Sequence, residues 1–134
     1  MIDVENQVVT MLSNAIHEEY PDAFVTGEYV PAPAKFPCVS IEEKDNAVWR
    51  RTRDNINMEN HALVSYEINV YSNKTKGKKS QAKAISALVD DLMLALGFDR
   101  AMMTTLPNMS DATIYRITIR YRAVVGKNNV VYRE

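Results

Sequence analysis

One cysteine, two histidines, one tryptophan and four glycines are spread over 134 residues, and each shortage closes off a class of chemistry. A single thiol, Cys38, can form no intrachain disulfide and supports no cysteine-based metal site. It lies between Pro37 and Val39 in an apolar stretch, where a buried, inert thiol is expected. His17 and His61 fall in no metal-ligand spacing; one belongs to a helix end and the other opens a strand, so both are read as structural. The few glycines build no G-x-G-x-x-G or Walker A pattern. Charge of one sign is also lacking. Sixteen basic residues face seventeen acidic ones, for a formal net charge of -1, whereas a dedicated nucleic-acid binder is strongly basic. The chain has no long apolar run, and Met-Ile-Asp-Val-Glu-Asn at its start has no basic n-region. Neither a signal peptide nor a membrane span is expected, and the cytoplasm is the expected place of synthesis.

What remains is ordinary globular composition, 46% hydrophobic and 25% charged, which suits one domain over residues 1–134 with a real core. Its most informative segment is 113–125. Tyr115, Ile117, Ile119, Tyr121, Ala123 and Val125 fall on one face of a strand, and Arg116, Thr118, Arg120 and Arg122 on the other. Such alternation means a half-buried antiparallel strand. A row of guanidinium groups repels itself unless an anion lies opposite: carboxylates of the neighbouring strand, a partner subunit, or nucleic acid.

Other segments are read by period and punctuation. Val4, Val8, Met11, Leu12, Ala15 and Ile16 stripe a helix over Asp3–Tyr20, with Asp3 as N-cap and Pro21 as the stop. Phe24–Val30 and Phe36–Glu43 read as strands around a Pro31–Lys35 connector. Residues 45–60 read as the tip and flanks of a long, partly mobile hairpin. His61–Tyr71 alternates as a strand. A basic turn then leads into an amphipathic helix from about Ser80 to Leu96, closed by Gly97 and Phe98. Met102–Met109 is a short strand, and 126–134 is a strand extension or C-terminal arm. The expected fold is α+β: two helices packed on one face of a mostly antiparallel sheet with a long β-hairpin.

Enzyme signatures are missing, and no metal or other cofactor is expected. Asp90 and Asp91 are adjacent on a helix and diverge by about 100°, so they are read as helix-surface groups. Three basic groups stand out. Lys74, Lys76, Lys78 and Lys79 sit at a helix start, where free N–H groups favour anions. Arg50, Arg51 and Arg53 adjoin Trp49, a pairing suited to phosphate or to a protein interface. Arg116, Arg120 and Arg122 have Glu42, Glu43 or Glu67 as possible cross-strand partners.

Three segments, Phe36–Glu43, Tyr66–Asn73 with the lysine-rich helix start, and Tyr115–Tyr121, together with element order and size, resemble the tail terminator (tail completion) proteins of long-tailed phages and prophages. Related neck and tail-tube subunits look similar. The resemblance implies a homo-oligomeric ring, commonly a hexamer, at the head-proximal end of the tail tube. Such a ring ends tube growth and joins tail to head. It implies partners in a second copy, the tail tube protein and a head–tail connector or neck protein, with transient, non-specific contact to passing DNA, no membrane and no catalytic residues. In that setting Trp49, Arg116, Arg120 and Arg122 become candidates for the subunit interface. Arg50, Arg51, Arg53, Lys74, Lys76, Lys78 and Lys79 become candidates for the DNA lumen. The rival readings are a small nucleic-acid-binding α+β module and a small enzyme, for example a nuclease. The first lacks stacked aromatics on its sheet; the second lacks a clustered Asp/Glu/Lys constellation.

Overall fold

The computed structural model describes residues 3–30, 33–48, 61–107, 113–126 and 131–132. Helix α1 spans Glu5–Glu19 and buries Val8, Leu12 and Ile16, one per turn. The Asp3 carboxylate accepts the Glu5 N–H at 2.9 Å, one residue ahead of the Val4 capping position, so the expected cap acts from just outside the helix. At the other end His17 Nε2 donates to the Ala23 carbonyl at 2.8 Å, tying the helix to the chain that leaves it.

Helix α2 spans Lys78–Leu96. It starts two residues before Ser80 because Gly77, at φ 86°, makes the left-handed turn that a side chain resists. It ends as its sequence predicts. Gly97 takes φ 102°, its N–H reaches the Leu94 carbonyl, and Phe98 N–H reaches the Met93 carbonyl. This is the Schellman pattern, and Phe98 is fully buried behind it.

Among the described residues, six strands form one sheet: β1 (Phe24–Thr26), β2 (Cys38–Val48), β3 (His61–Ser72), β4 (Asp99–Pro107), β5 (Tyr115–Gly126) and β6 (Val131–Tyr132). Their order is β1-β2-β3-β5-β4, with β6 pairing β5 beyond the end of β4. Of these pairings, only that of β1 with β2 is parallel. The long hairpin has β2 and β3 as its arms; residues 49–60, which join them, lie outside the described residues. Three strands differ in extent from the sequence reading: β1 ends at Thr26 rather than Val30, and β2 and β4 are longer than their periodicity. β2 continues to Val48 through a bulge at Lys44, and β4 begins at Asp99 and passes a bulge at Ala101. Each bulge shifts the inside/outside alternation by one, which hides the strand from a period-two reading.

Both helices cover the same sheet face. Leu12 and Ile16 of α1, Ile85 and Val89 of α2, and Ile117 and Ile119 of β5 share one buried cluster, with Leu92 partly buried against it. The fold is α+β, as the sequence implies. Tyr66 lies at the centre, its ring edge-on to Phe98 at 5.5 Å between centroids. Beside it, Glu43 faces the helix layer and accepts from Asn46 Nδ2 at 3.1 Å. Burial raises the Glu43 carboxyl pKa, the Asn46 hydrogen bond opposes this, and Asp3 and Glu5 raise it further.

Two outcomes follow from this packing. Leu12→Ala, at a fully buried position, should cost about 2–5 kcal/mol in chemical denaturation, and Leu92→Ala, at a partly buried one, less. Glu43 has a raised folded-state pKa, so it favours folding below the ordinary glutamate range and loses that contribution as pH rises through its folded value. Glu43→Gln should therefore raise the melting temperature near neutral pH. The gain should vanish below about pH 4, where wild-type Glu43 is protonated in both states.

Candidate functional site

The face of the sheet away from the helices carries the arginines. Cross-strand register arranges it in rows. The first is Cys38–Tyr71–Arg116–Leu106, the second Ser40–Asn69–Thr118–Thr104, the third Glu42–Glu67–Arg120–Met102, and the fourth Asp45–Ser65–Arg122–Asp99. Each row takes one residue from β2, β3, β5 and β4, so groups far apart in sequence meet side by side.

Asn69 organises the middle of this face. It is 1% exposed. Its Oδ1 accepts from the Thr118 hydroxyl at 2.6 Å and from Arg116 Nε at 3.0 Å, and its Nδ2 donates to Glu67 Oε2 at 3.4 Å. One amide thus links three strand residues, and its loss would leave buried polar groups unpaired. Glu67 then accepts from both Nε and a terminal nitrogen of Arg120, at 3.2 and 3.1 Å. Lys44 stands 3.3 Å from Glu42 Oε2 and 3.8 Å from Glu67 Oε2. The alternating signs offset the repulsion within the arginine row.

The three arginines therefore have three different settings. Arg120 pairs with the carboxylate of Glu67, one of the partners its sequence position suggests. Arg116 meets an amide oxygen and the Tyr71 ring, whose centroid lies 5.5 Å from its guanidinium carbon. Arg122 is exposed and stands opposite Ser65 and Asp99 in register. Burial pushes the Tyr71 hydroxyl pKa up while the Arg116 charge draws it down, and the hydroxyl donates to the Val30 carbonyl at 3.3 Å. The chain after β1 is thereby fastened across this end of the face. Cys38 beneath it is fully buried, and burial pushes its thiol up to about 11, as suits an unreactive side chain.

The lysine group lies elsewhere. Lys74 and Lys76 are exposed in the turn before α2, and Lys78 and Lys79 open that helix. Lys78 donates to the Thr113 carbonyl at 3.3 Å, which draws the helix start to the beginning of β5. Trp49, Arg50, Arg51 and Arg53 lie outside the described residues. Asp90 is half buried: it accepts from the Tyr121 hydroxyl at 2.8 Å and pairs with Arg100 at 3.2 Å, while Asp91 is exposed. Among the described residues, no cluster of His, Cys, Asp or Glu could hold a metal ion, and no helix is long and apolar enough to cross a membrane.

Sequence reasoning found Glu67 and Arg120 and put Asn69 on the same sheet face, but not its burial, because nothing in a lone strand asparagine signals burial. The network makes the two testably different. A double-mutant cycle on Glu67→Gln and Arg120→Ala should give a coupling of only about 0.2–1 kcal/mol, since Arg120 is half exposed. Asn69→Ala should cost more than either single change at that pair, measured by denaturant unfolding, because it strands Thr118 in the buried row.

No family model matches the chain, and no curated protein matches it in sequence. Among solved structures, it is similar to a chain of the virion of a native gene transfer agent particle. The TM-score is 0.59 at 20% sequence identity, over 91% of this chain and 91% of that one. At that identity the likeness is one of fold, and it extends over most of both chains rather than a single shared motif.

Proposed function

We propose that this protein is a virion structural protein of a long-tailed phage or phage-derived particle, forming the ring that ends the tail tube on its head-proximal side. The observation that carries the reading is the end-to-end fold likeness to a chain of a gene transfer agent virion. The resemblance of Phe36–Glu43, Tyr66–Asn73 and Tyr115–Tyr121 to tail terminators supports the finer station. A braced polar face without a metal-binding cluster among the described residues suits a role in assembly.

In this reading the copies form a closed ring, a hexamer, with the tube below and the neck above. Lys74, Lys76, Lys78 and Lys79, with Arg50, Arg51 and Arg53, line the passage for DNA. Hydrated loop charges neutralise moving phosphates weakly, and a near-neutral chain lets DNA pass without holding it. Arg116, Arg120 and Arg122, held in place by their strand, serve contacts between proteins together with Trp49, where a planar bidentate donor confers register.

Removing the gene should give headless tails of abnormal length in electron micrographs, and expression in trans should restore normal joined particles. Complementation with a Lys76→Glu variant should still end tails at the normal length. An Arg120→Glu variant that melts like wild type should not. Tails of normal length joined to heads in the complete absence of the protein would overturn the proposal.

A further inference from the structure

The large hydrophobic side chains exposed among the described residues are Phe24, Tyr29, Met102, Met103 and Leu106. They are not scattered. Phe24 lies in β1 and Tyr29 just after it, while Met102, Met103 and Leu106 lie in β4. These strands are the two opposite margins of the β1-β2-β3-β5-β4 order. An exposed strand with apolar side chains and a row of unpaired backbone groups is a template for another chain.

We infer that copies of this chain join head to tail, with the β4 margin of one seated against the β1 margin of the next, so that sheet and helix layer both continue from subunit to subunit. This rests on the ring reading above and names the surfaces that close the ring. The occupant is a second copy for three reasons.

The first is face. Phe24 pairs in register with Cys38 and so shares the side of the sheet that carries Arg116 and Leu106. Phe24 and Leu106 are the two ends of a single cross-strand row, so continuation of the sheet brings one against the other. The second is direction. β1 runs with β2 and β5, and β4 runs with β3. A translated copy therefore offers its β1 antiparallel to β4, which is how β4 already pairs with β5.

The third is the helix layer. Helix α1 lies on the β1 side and α2 covers β3 and β5, reaching β4 only at its margin. A groove of about 590 Å³ is left between α2 and β4. It is lined by Asp91, Met103, Thr105 and the buried Ser86, whose hydroxyl has no hydrogen-bond partner among the described residues. The helix layer stops one strand short on this side only. The α1 end of the next copy is the element that a head-to-tail repeat places there, and it fills the groove. The two margins are unlike, so the contact is heterologous, the kind that closes into rings.

The test uses the full chain carrying Phe24→Cys with Leu106→Cys, and Phe24→Cys with Met102→Cys to allow for a stagger of the rows. Mild oxidation at high protein concentration is followed by non-reducing electrophoresis and peptide mass spectrometry. All variants carry Cys38→Ala, because Cys38 is the register partner of residue 24 and would compete for its thiol. One of the double variants should give a ladder of multimers ending in a closed species, at more than about tenfold the yield of dimer from any single variant. Single variants that dimerise as readily as the doubles form multimers would mean a two-fold contact and overturn the inference. A wild-type ring by sedimentation with no link from 24 to 106 or 102 would overturn these surfaces while leaving the proposed function standing. The proposed function fails separately, on normal tails without the protein.

Discussion

Everything else in this molecule hangs on the twelve-residue antiparallel ladder between β3 and β5. It is the longest pairing, it lies at the centre of the sheet, and its two faces do opposite work. On one side Val70–Ile117, Ile68–Ile119 and Tyr66–Tyr121 give the helices a continuous apolar floor. On the other Asn69–Thr118 and Glu67–Arg120 form the polar network. A slip of one residue would exchange the two faces wholesale, setting arginines under the helices and isoleucines in water. The register is therefore held from both sides, by burial above and by charge pairing below.

This division also explains how a face rich in arginine can be rigid. Guanidinium groups two residues apart on a strand repel. Here Arg120, two residues from Arg122, is held by a carboxylate, and Arg116 by an amide and an aromatic ring. The arrangement leaves the guanidinium planes oriented rather than free, which is the state in which they contribute specificity to a protein contact. The lysines before α2 are the opposite case. Lys74 and Lys76 are exposed on a turn, while Lys78, at the first position of α2, is drawn to the Thr113 carbonyl.

Much of the architecture was legible in the residues. The α1 and α2 stripes, the stop at Pro21 and the Gly97–Phe98 closure act as their spacing implies, because these signals are local. The strand boundaries of β2 and β4 were less legible. Bulges at Lys44 and Ala101 break the alternation, and a bulge is chosen by the partner strand rather than by the sequence that carries it. The candidate site divides the same way. Opposite charges on neighbouring strands suggested Glu67 with Arg120. The role of Asn69 depends on residues 47 and 49 positions away, and only the assembled sheet reveals it. The shortness of β1 likewise escaped, since Val25 has the composition of a strand while the chain beyond Thr26 departs to cross the face near Tyr71.

The bulges also bear on how the chain tolerates errors of length. In a regular strand a deleted residue throws every side chain beyond it onto the wrong face. At Ala101 the strand already carries one residue more than its partner, since Arg100 stands against Tyr121 and Met102 against Arg120. Removing Ala101 restores a continuous ladder and keeps both flanking halves in phase. The same holds at Lys44, except that its ion pairs with Glu42 and Glu67 go with it. β4 thus holds a spare residue with no burial and no charge to lose, a place where the gene can shorten by one codon without disturbing the fold around it.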